Sequence, residues 1–308
     1  MTATVDPEKI LRDLRELWVN LGREQENAGG VLRACAMTLL VVAKDDRDAE
    51  YVRRTMGALM HDHPSRAVVL HTKEGASFDA RVFAECWMPS GGNQQICAEG
   101  IEITAGTRQL TDVARLLVPL IVPDLPVMLW CRGGGVFDPL FPLAGKIIFD
   151  TASAPDPQAA LEELKALGER GLRVADLAWT RLTGWRQVLA NVFDDAEVQA
   201  ASVHSVRIRY GGPVSTSVLY FQVWIQQRIP AARVTLEPSA GEAGLRGVTL
   251  SGGGVEVGIS LADGSLVQIR AGEARCNALL PPVSDDDAMR EELSIFRADP
   301  VFDMVLRG

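Results

Sequence analysis

The hydrophobic pattern of the chain changes character near Gly171. Before that residue, apolar runs of strand length alternate with segments in which apolar residues recur every three or four positions. Such alternation is typical of strands joined by helices, and it predicts a β-α-β unit with a right-handed crossover. The unit consists of the strand Arg33–Ala43, the helix Arg47–Met60 and the strand Arg66–Thr72.

Two strands flanking "PSGGN" predict a β-hairpin in the same half. A four-residue loop at Ser90–Asn93 places Cys86 opposite Cys97. Opposed residues in a hairpin have Cβ atoms about 4.5–5.5 Å apart, whereas the mean Cβ separation in a disulfide is about 3.8 Å. We therefore expect the two cysteines to be neighbours with reduced thiols.

After Gly171 the pattern predicts a helix at Thr183–Phe193, a strand, and a long helix within Val214–Arg228. Short strands separated by "SGGG" and "ADGS" then predict an antiparallel meander. The fold class that follows is mixed α/β with two domains. Residues 1–172 form an N-terminal domain with a mixed sheet and flanking helices, and residues 173–308 form a mostly antiparallel sheet backed by helices.

Composition and charge exclude several classes of protein. The chain has 308 residues, a formal net charge of −9 and 47% hydrophobic residues. An acidic balance argues against nucleic acid or an anionic membrane as the partner. The most apolar run, Val113–Cys131, contains three prolines and two charged residues, which does not suit a spanning helix. The first residues do not form a secretory signal, and five widely spaced cysteines favour a cytoplasmic protein.

Candidate catalytic and metal-binding residues are sparse. His61 and His63 lie at a predicted helix end, with no third metal ligand close in sequence. The glycine-rich loop that begins at Gly133 is followed by prolines rather than by a helix, and no dinucleotide or Walker pattern is present. No serine or cysteine has the spacing of an activated nucleophile. We therefore expect no metal, no cofactor and no enzymatic activity.

The stretch "DLAWTRLTGWRQVLANVFDD" is unusual because it combines Trp179, Arg181, Trp185 and Arg186 within eight residues. Tryptophan and arginine are the residue types that anchor protein interfaces. The alternative is that the tryptophans are core residues and that Arg186 pairs with a nearby aspartate. Ser65 and Arg66 open a predicted strand, where they either bind an anion or serve as turn residues.

Four stretches together resemble a known family. They are "HPSRAVVL", "QQICAEGIEI", "LLVPLIVPDLPVMLW" and "DLAWTRLTGWRQVLANVFD". They resemble the bacterial glucose-6-phosphate dehydrogenase assembly or effector proteins, the OpcA family. Where that family often has two tryptophans, this chain has Trp130 followed by Cys131. The resemblance implies a non-catalytic protein that binds glucose-6-phosphate dehydrogenase and promotes its active oligomer in the oxidative pentose phosphate pathway.

Three functional hypotheses remain at this point, and one of them is a scaffold protein with no link to the dehydrogenase. If the chain is a binding protein, Trp179 is buried at an elbow between the domains and Arg181 or Arg186 reaches a partner's carboxylate. The predicted partner-binding residues are Trp179, Arg181, Trp185, Arg186, Ser65, Arg66 and Arg132. The alternative is a sugar-phosphate sensor or enzyme in which Arg66, Arg132, Arg181 and Arg186 converge on one phosphate.

Overall fold

The computed structural model describes residues 6–24, 30–43, 45–72, 78–92, 94–106, 110–132, 137–193 and 200–308. Within these ranges the chain is a mixed α/β protein with two separate sheets, as predicted. No helix in the described ranges has the length and apolarity that crossing a bilayer requires.

The helices and strands have the following bounds. The helices are α1 Pro7–Glu24, α2 Asp46–Met60, α3 Leu110–Leu117, α4 Pro157–Glu169, α5 Leu177–Thr180, α6 Thr183–Phe193, α7 Thr216–Arg228, α8 Asp285–Ser294 and α9 Pro300–Arg307. The strands are β1 Val31–Arg33, β2 Met37–Ala43, β3 Ser65–Thr72, β4 Asp79–Trp87, β5 Gln95–Ala105, β6 Val127–Arg132, β7 Lys146–Asp150, β8 Val174–Asp176, β9 Ser205–Gly211, β10 Arg233–Ser239, β11 Gly244–Gly252, β12 Val255–Asp263, β13 Leu266–Ala271 and β14 Ala274–Leu279.

The first sheet has the strand order β1-β5-β3-β2-β6-β7-β8, with β4 paired to β5. Strand β2 pairs parallel to both β3 and β6, which confirms the predicted β-α-β unit. From β2 the chain first moves outward to β3 and β5, and it then returns to β6 on the other side of β2. The order β5-β3-β2-β6-β7-β8 is that of a doubly wound nucleotide-binding sheet, whose topological switch point lies between β2 and β6.

The second sheet has the order β10-β9-β11-β12-β13-β14. Strand β10 pairs parallel to β9, and the other pairs are antiparallel, so the sheet is mostly antiparallel as predicted. Helix α7 packs against β10 and β11. The sequence pattern did not predict β14, most of whose residues are exposed, nor the short strand β1.

The prediction of reduced thiols at Cys86 and Cys97 is wrong. The register of β4 and β5 does pair the two residues, as predicted, but their sulfurs form a disulfide. Their Cα atoms are 4.1 Å apart, which is the spacing of a narrow antiparallel pair rather than of a wide one. The average cross-strand distance used for the prediction hides this difference. Asn93, part of the predicted loop, lies outside the described residues.

Contacts within the chain define two compact units that interleave in sequence. The first comprises Met1–Phe149, Leu172–Ala175 and Asp285–Arg297, and the second comprises Asp150–Gly171, Asp176–Ser284 and Ala298–Gly308. The domain division at residue 172 stays a prediction. The first sheet contributes most of the first unit's core, and the second sheet with α5, α6 and α7 contributes most of the second unit's core.

Candidate functional site

The tryptophan–arginine stretch is built around the buried carboxylate of Asp176. This residue is fully buried at the end of β8 and caps α5, because its Oδ1 accepts from the Ala178 amide at 3.0 Å. The Thr151 amide donates to the same oxygen at 3.1 Å. The hydroxyls of Tyr220 (2.8 Å) and Thr151 donate to Oδ2. Burial raises the pKa of Asp176 to about 6, although all four donors favour the ionised form.

Trp179 and Trp185 are core residues of the second unit. Trp179 is 2% exposed, as predicted, and its indole nitrogen donates to Asp299 at 2.9 Å. Its ring stacks on Phe302 with 5.6 Å between centroids. Trp185 is 9% exposed and meets Phe221 edge to face. The two tryptophans therefore fix the position of α5 and α6. Both are core residues, in agreement with the alternative hypothesis of the sequence analysis.

Arg181 binds a carboxylate of its own unit. Its Nη1 and Nη2 donate to the two oxygens of Asp150 at 2.9 and 3.1 Å. The side chains are 19% and 14% exposed, so the pair is largely shielded from water. A two-pronged geometry of this kind is the strongest form of arginine–carboxylate contact. The guanidinium group that we expected to bind a partner's carboxylate is thus bound to Asp150.

Arg186 lies at the edge of an open groove. Its guanidinium stacks over the Trp179 ring at 3.8 Å from the centroid and donates to the Thr183 hydroxyl at 2.9 Å. That hydroxyl, on the first residue of α6, donates in turn to the Thr180 carbonyl at 2.8 Å. The groove has a volume of about 580 Å³ and is mostly apolar. Its lining includes Arg186, Gln187, Leu189, Phe193, Trp224 and Arg228.

Ser65 and Arg66 are interior residues of the first unit, at the amino end of β3. They are 1% and 8% exposed. Arg66 donates to the buried carboxylate of Glu99 at 2.5 Å and to the Leu120 carbonyl at 2.8 Å. Glu99 also accepts from Trp18 and Arg33, each at 2.6 Å. The cluster around Glu99 therefore connects α1, β1, β3 and β5, and Arg66 acts there as a structural counter-ion.

Arg132 lies at the opposite end of the same sheet, at the carboxyl end of β6. It forms an ion pair with Asp48 of α2, and its guanidinium stacks on Tyr51 at 3.7 Å from the ring centroid. The Tyr51 hydroxyl donates to Asp285, and burial raises the pKa of Tyr51 to about 12. Side chains of this chain thus occupy the switch point between β2 and β6.

The four arginines of the alternative hypothesis do not converge on one phosphate. In the first unit, the parallel register of β3, β2 and β6 places Arg66 at one end of the sheet and Arg132 at the other. In the second unit, Arg181 binds Asp150 and Arg186 stacks on Trp179. The sequence pattern indicated these arginines but not the groups that bind them. Asp48, Glu99, Asp150 and Asp176 belong to no recognisable sequence motif, and only the fold identifies their partners.

The residues at the switch point do not fit a dinucleotide. In doubly wound folds, a glycine-rich turn after the first strand brings the pyrophosphate to a helix N-terminus. The corresponding turn here reads Lys44-Asp45-Asp46-Arg47, without glycine. The Asp45 carboxylate accepts from the Asp48 amide at 2.8 Å and caps α2. A carboxylate at this position repels a phosphate and occupies the amide that would bind it.

Comparison with solved structures supports the fold. The chain resembles an NAD binding oxidoreductase from Klebsiella pneumoniae with a TM-score of 0.51 and 9% identity. The superposition covers 89% of this chain and 94% of that one. At this identity the likeness concerns the fold alone.

Sequence comparisons identify the family. Two curated relatives are candidate OxPP cycle proteins named OpcA. The protein from Nostoc punctiforme is 26% identical over 58% of this chain and 41% of its own length. The protein from Synechococcus elongatus is 27% identical over 60% of this chain and 44% of its own length. The matches therefore span less than half of these relatives.

Two family models match consecutive parts of the chain. The model described as the glucose-6-phosphate dehydrogenase subunit N-terminal domain matches residues 57–166. The model described as the C-terminal domain of the same subunit matches residues 172–306. The chain belongs to the OpcA family of glucose-6-phosphate dehydrogenase assembly proteins.

Proposed function

We propose that this protein is a non-catalytic partner of glucose-6-phosphate dehydrogenase that promotes the enzyme's active oligomer in the cytoplasm. The observation that carries the proposal is the pair of consecutive family matches, at 57–166 and 172–306, to models described as parts of a glucose-6-phosphate dehydrogenase subunit. The names of the curated relatives support a place in the oxidative pentose phosphate pathway.

The chemistry of the switch point supports the non-catalytic part of the proposal. An oxidoreductase of this fold needs a turn that accepts a pyrophosphate, and this chain has Asp45 as a helix cap there. The Arg132–Asp48 pair and Tyr51 pack where the cofactor of such an enzyme would extend. We infer that the fold serves as a scaffold for binding another protein.

The predicted partner-binding residues differ in their burial and in their contacts. Trp179, Trp185, Ser65 and Arg66 are buried, and Arg181 and Arg132 are held by Asp150 and Asp48. We propose that these six residues support the binding surface from inside. Arg186, at the edge of the open groove on α6, remains the member of the set that we propose to contact the partner directly.

The experiment that tests this function combines sedimentation with activity. Glucose-6-phosphate dehydrogenase from the same organism is sedimented alone and with the full chain, and its rate is measured in the same samples. We expect the chain to cosediment with the enzyme, shift it to a larger assembly and change its rate. An enzyme whose sedimentation and rate both stay the same at saturating chain concentrations would contradict the proposal.

A further inference from the structure

The second sheet has one covered face and one open face. On the covered face, Val206, Ile208, Val248 and Ile259 are at most 1% exposed, and helix α7 packs there. Because side chains alternate along a strand, their neighbours point to the other side. The strand registers align these neighbours into three rows that cross the sheet.

We name the open side the basic face. Its central row is Thr235, Arg207, Thr249, Gly258, Arg270 and Arg275. The flanking rows contain Glu237, Arg209, Gly247, Ser260, Gln268 and Asn277 on one side, and Arg233, Ser205, Ser251 and Glu256 on the other. The three rows thus hold five arginines against two glutamates, on a chain whose net charge is −9.

The charge on this face is not neutralised locally. Arg207 lies 3.8 Å from Glu256, a loose and exposed contact. Arg270 and Arg275 are directly opposed on β13 and β14, and both are exposed. Within the described ranges neither has an ion-pair partner. Like charges directly opposite each other in a sheet destabilise it. An arrangement that costs stability in the free protein is typical of a surface that meets opposite charge in a complex.

The centre of the basic face carries small side chains and lacks aromatic ones. Thr249, Gly258 and Ser260 are small. A Cβ atom added at Gly258 would have no neighbouring atom within 4 Å. Small side chains permit close approach of a folded partner. Proteins that bind single-stranded nucleic acid on a sheet stack the bases on aromatic residues, and none of the three rows provides one.

A second copy of this chain is a poor occupant of the face. Dimers with two-fold symmetry bring the same patch of both subunits together. Such a contact would place the arginines of one basic face against those of the other. We propose that the basic face, centred on Arg207, Arg270 and Arg275, is the docking surface for an acidic patch of a partner protein. Its guanidinium groups would bind carboxylates of that patch in the two-pronged geometry that arginine favours.

This inference rests on the proposed function, which identifies the partner as glucose-6-phosphate dehydrogenase. It adds a second contact, because the groove beside Arg186 belongs to the helices that cover the other face of the sheet. The basic face belongs to the second sheet, which strands β9 to β14 form.

The test is a charge reversal with a matched control. The variant Arg207→Glu/Arg270→Glu/Arg275→Glu replaces one like-charged cross-strand pair by another, so the repulsion within the sheet is retained. The control Arg12→Glu/Arg15→Glu/Arg23→Glu makes the same change in net charge on the exposed side of α1. Binding of each full chain to the dehydrogenase is measured at low and high salt, alongside a single-stranded RNA oligomer.

We expect the basic-face variant to bind the dehydrogenase at least about 30-fold more weakly and with less dependence on salt, and the control to bind like the wild type. Equal affinities of the basic-face variant, the control and the wild type would overturn the inference and leave the proposed function standing. Loss of RNA binding alone would overturn it in favour of a nucleic-acid surface. If the wild type does not bind the dehydrogenase, the proposed function and the inference both fail.

Discussion

The hydroxyl of Tyr220 donates a 2.8 Å hydrogen bond to the carboxylate of Asp176, and both groups are withdrawn from water. The residue that caps α5 is thereby joined to the middle of α7, 44 positions later in the chain. Burial raises the pKa of Tyr220 well above its ordinary value and the pKa of Asp176 to about 6. The pair therefore couples the packing of the second unit to pH.

Asp176→Asn is expected to remove a pH dependence of stability. The folded pKa of about 6 exceeds the ordinary value of 3.8, so the folded state holds a proton that the unfolded state releases between these pH values. Stability from this group is present below pH 3.8 and is lost as pH rises through about 6. The free energy of unfolding of both proteins is measured with denaturant at pH 4 and pH 7, and over this range the wild type should lose about 2 kcal/mol relative to the variant.

Asp176→Asn suits the site because the hydroxyls of Thr151 and Tyr220 face Oδ2. Each hydroxyl can accept a hydrogen bond from the new amide instead of donating one. Asp263→Asn, at the exposed end of β12, makes the same substitution elsewhere in the second unit and serves as the matched control. Equal pH profiles for Asp176→Asn and the wild type would mean that Asp176 does not hold a proton in this range.

Arg181→Ala is expected to lower the free energy of unfolding by about 1–3 kcal/mol, because it leaves the shielded Asp150 carboxylate without its two-pronged donor. A double-mutant cycle with Asp150→Ala should show a loss smaller than the sum of the single losses. Arg115→Ala, which removes an exposed ion pair with Asp112, should be nearly neutral. Additive losses in the cycle would show that Arg181 and Asp150 do not stabilise each other.

Trp179→Ala should destabilise the second unit by about 3–5 kcal/mol, because it removes a buried aromatic ring and leaves Asp299 without the indole donor. Trp179→Phe should recover most of the packing but not the hydrogen bond. Thermal and denaturant unfolding of the three proteins measures both contributions. A Trp179→Ala protein as stable as the wild type would contradict the core role assigned to this ring.

The Cys86–Cys97 disulfide predicts how many cysteines react with a thiol reagent before and after reduction. Of the five cysteines, Cys35, Cys131 and Cys276 are not part of the disulfide. Denatured protein that has not been reduced should therefore react with a thiol reagent at three positions, and reduced protein at five. Cys86→Ser should lower the free energy of unfolding by about 2–3 kcal/mol relative to oxidised wild type, as expected for a short closed loop. Its free energy of unfolding should differ little from that of reduced wild type. Five reactive thiols before reduction would contradict the Cys86–Cys97 bond.

The sequence predicted the features that depend on local pattern. Apolar runs located β2, β3 and β6, and the loop length gave the register of Cys86 and Cys97. Strand β14 escaped prediction because its residues are mostly small or polar and exposed, and it lacks the β-branched and aromatic residues that indicate strands. The state of the two thiols was wrong because a narrow pair cannot be distinguished from a wide one without the backbone.

The sequence could not predict what each arginine contacts. Arg66 binds Glu99 across 33 positions, and Arg132 binds Asp48 across 84. The chain carries 40 acidic residues, so the correct partner of an arginine follows only from the strand order. The basic face was hidden for the same reason, because its arginines are far apart in sequence and align only through the registers of β9, β12, β13 and β14.

The most direct test of the central claim is the initial rate of glucose-6-phosphate dehydrogenase titrated with the full chain, with the chain alone assayed in parallel. We expect the chain alone to form no NADPH, because the switch point is occupied by its own side chains. The rate of the enzyme should rise with added chain and saturate at a fixed molar ratio. An unchanged rate at saturating chain, or NADPH formation by the chain alone, would contradict the account.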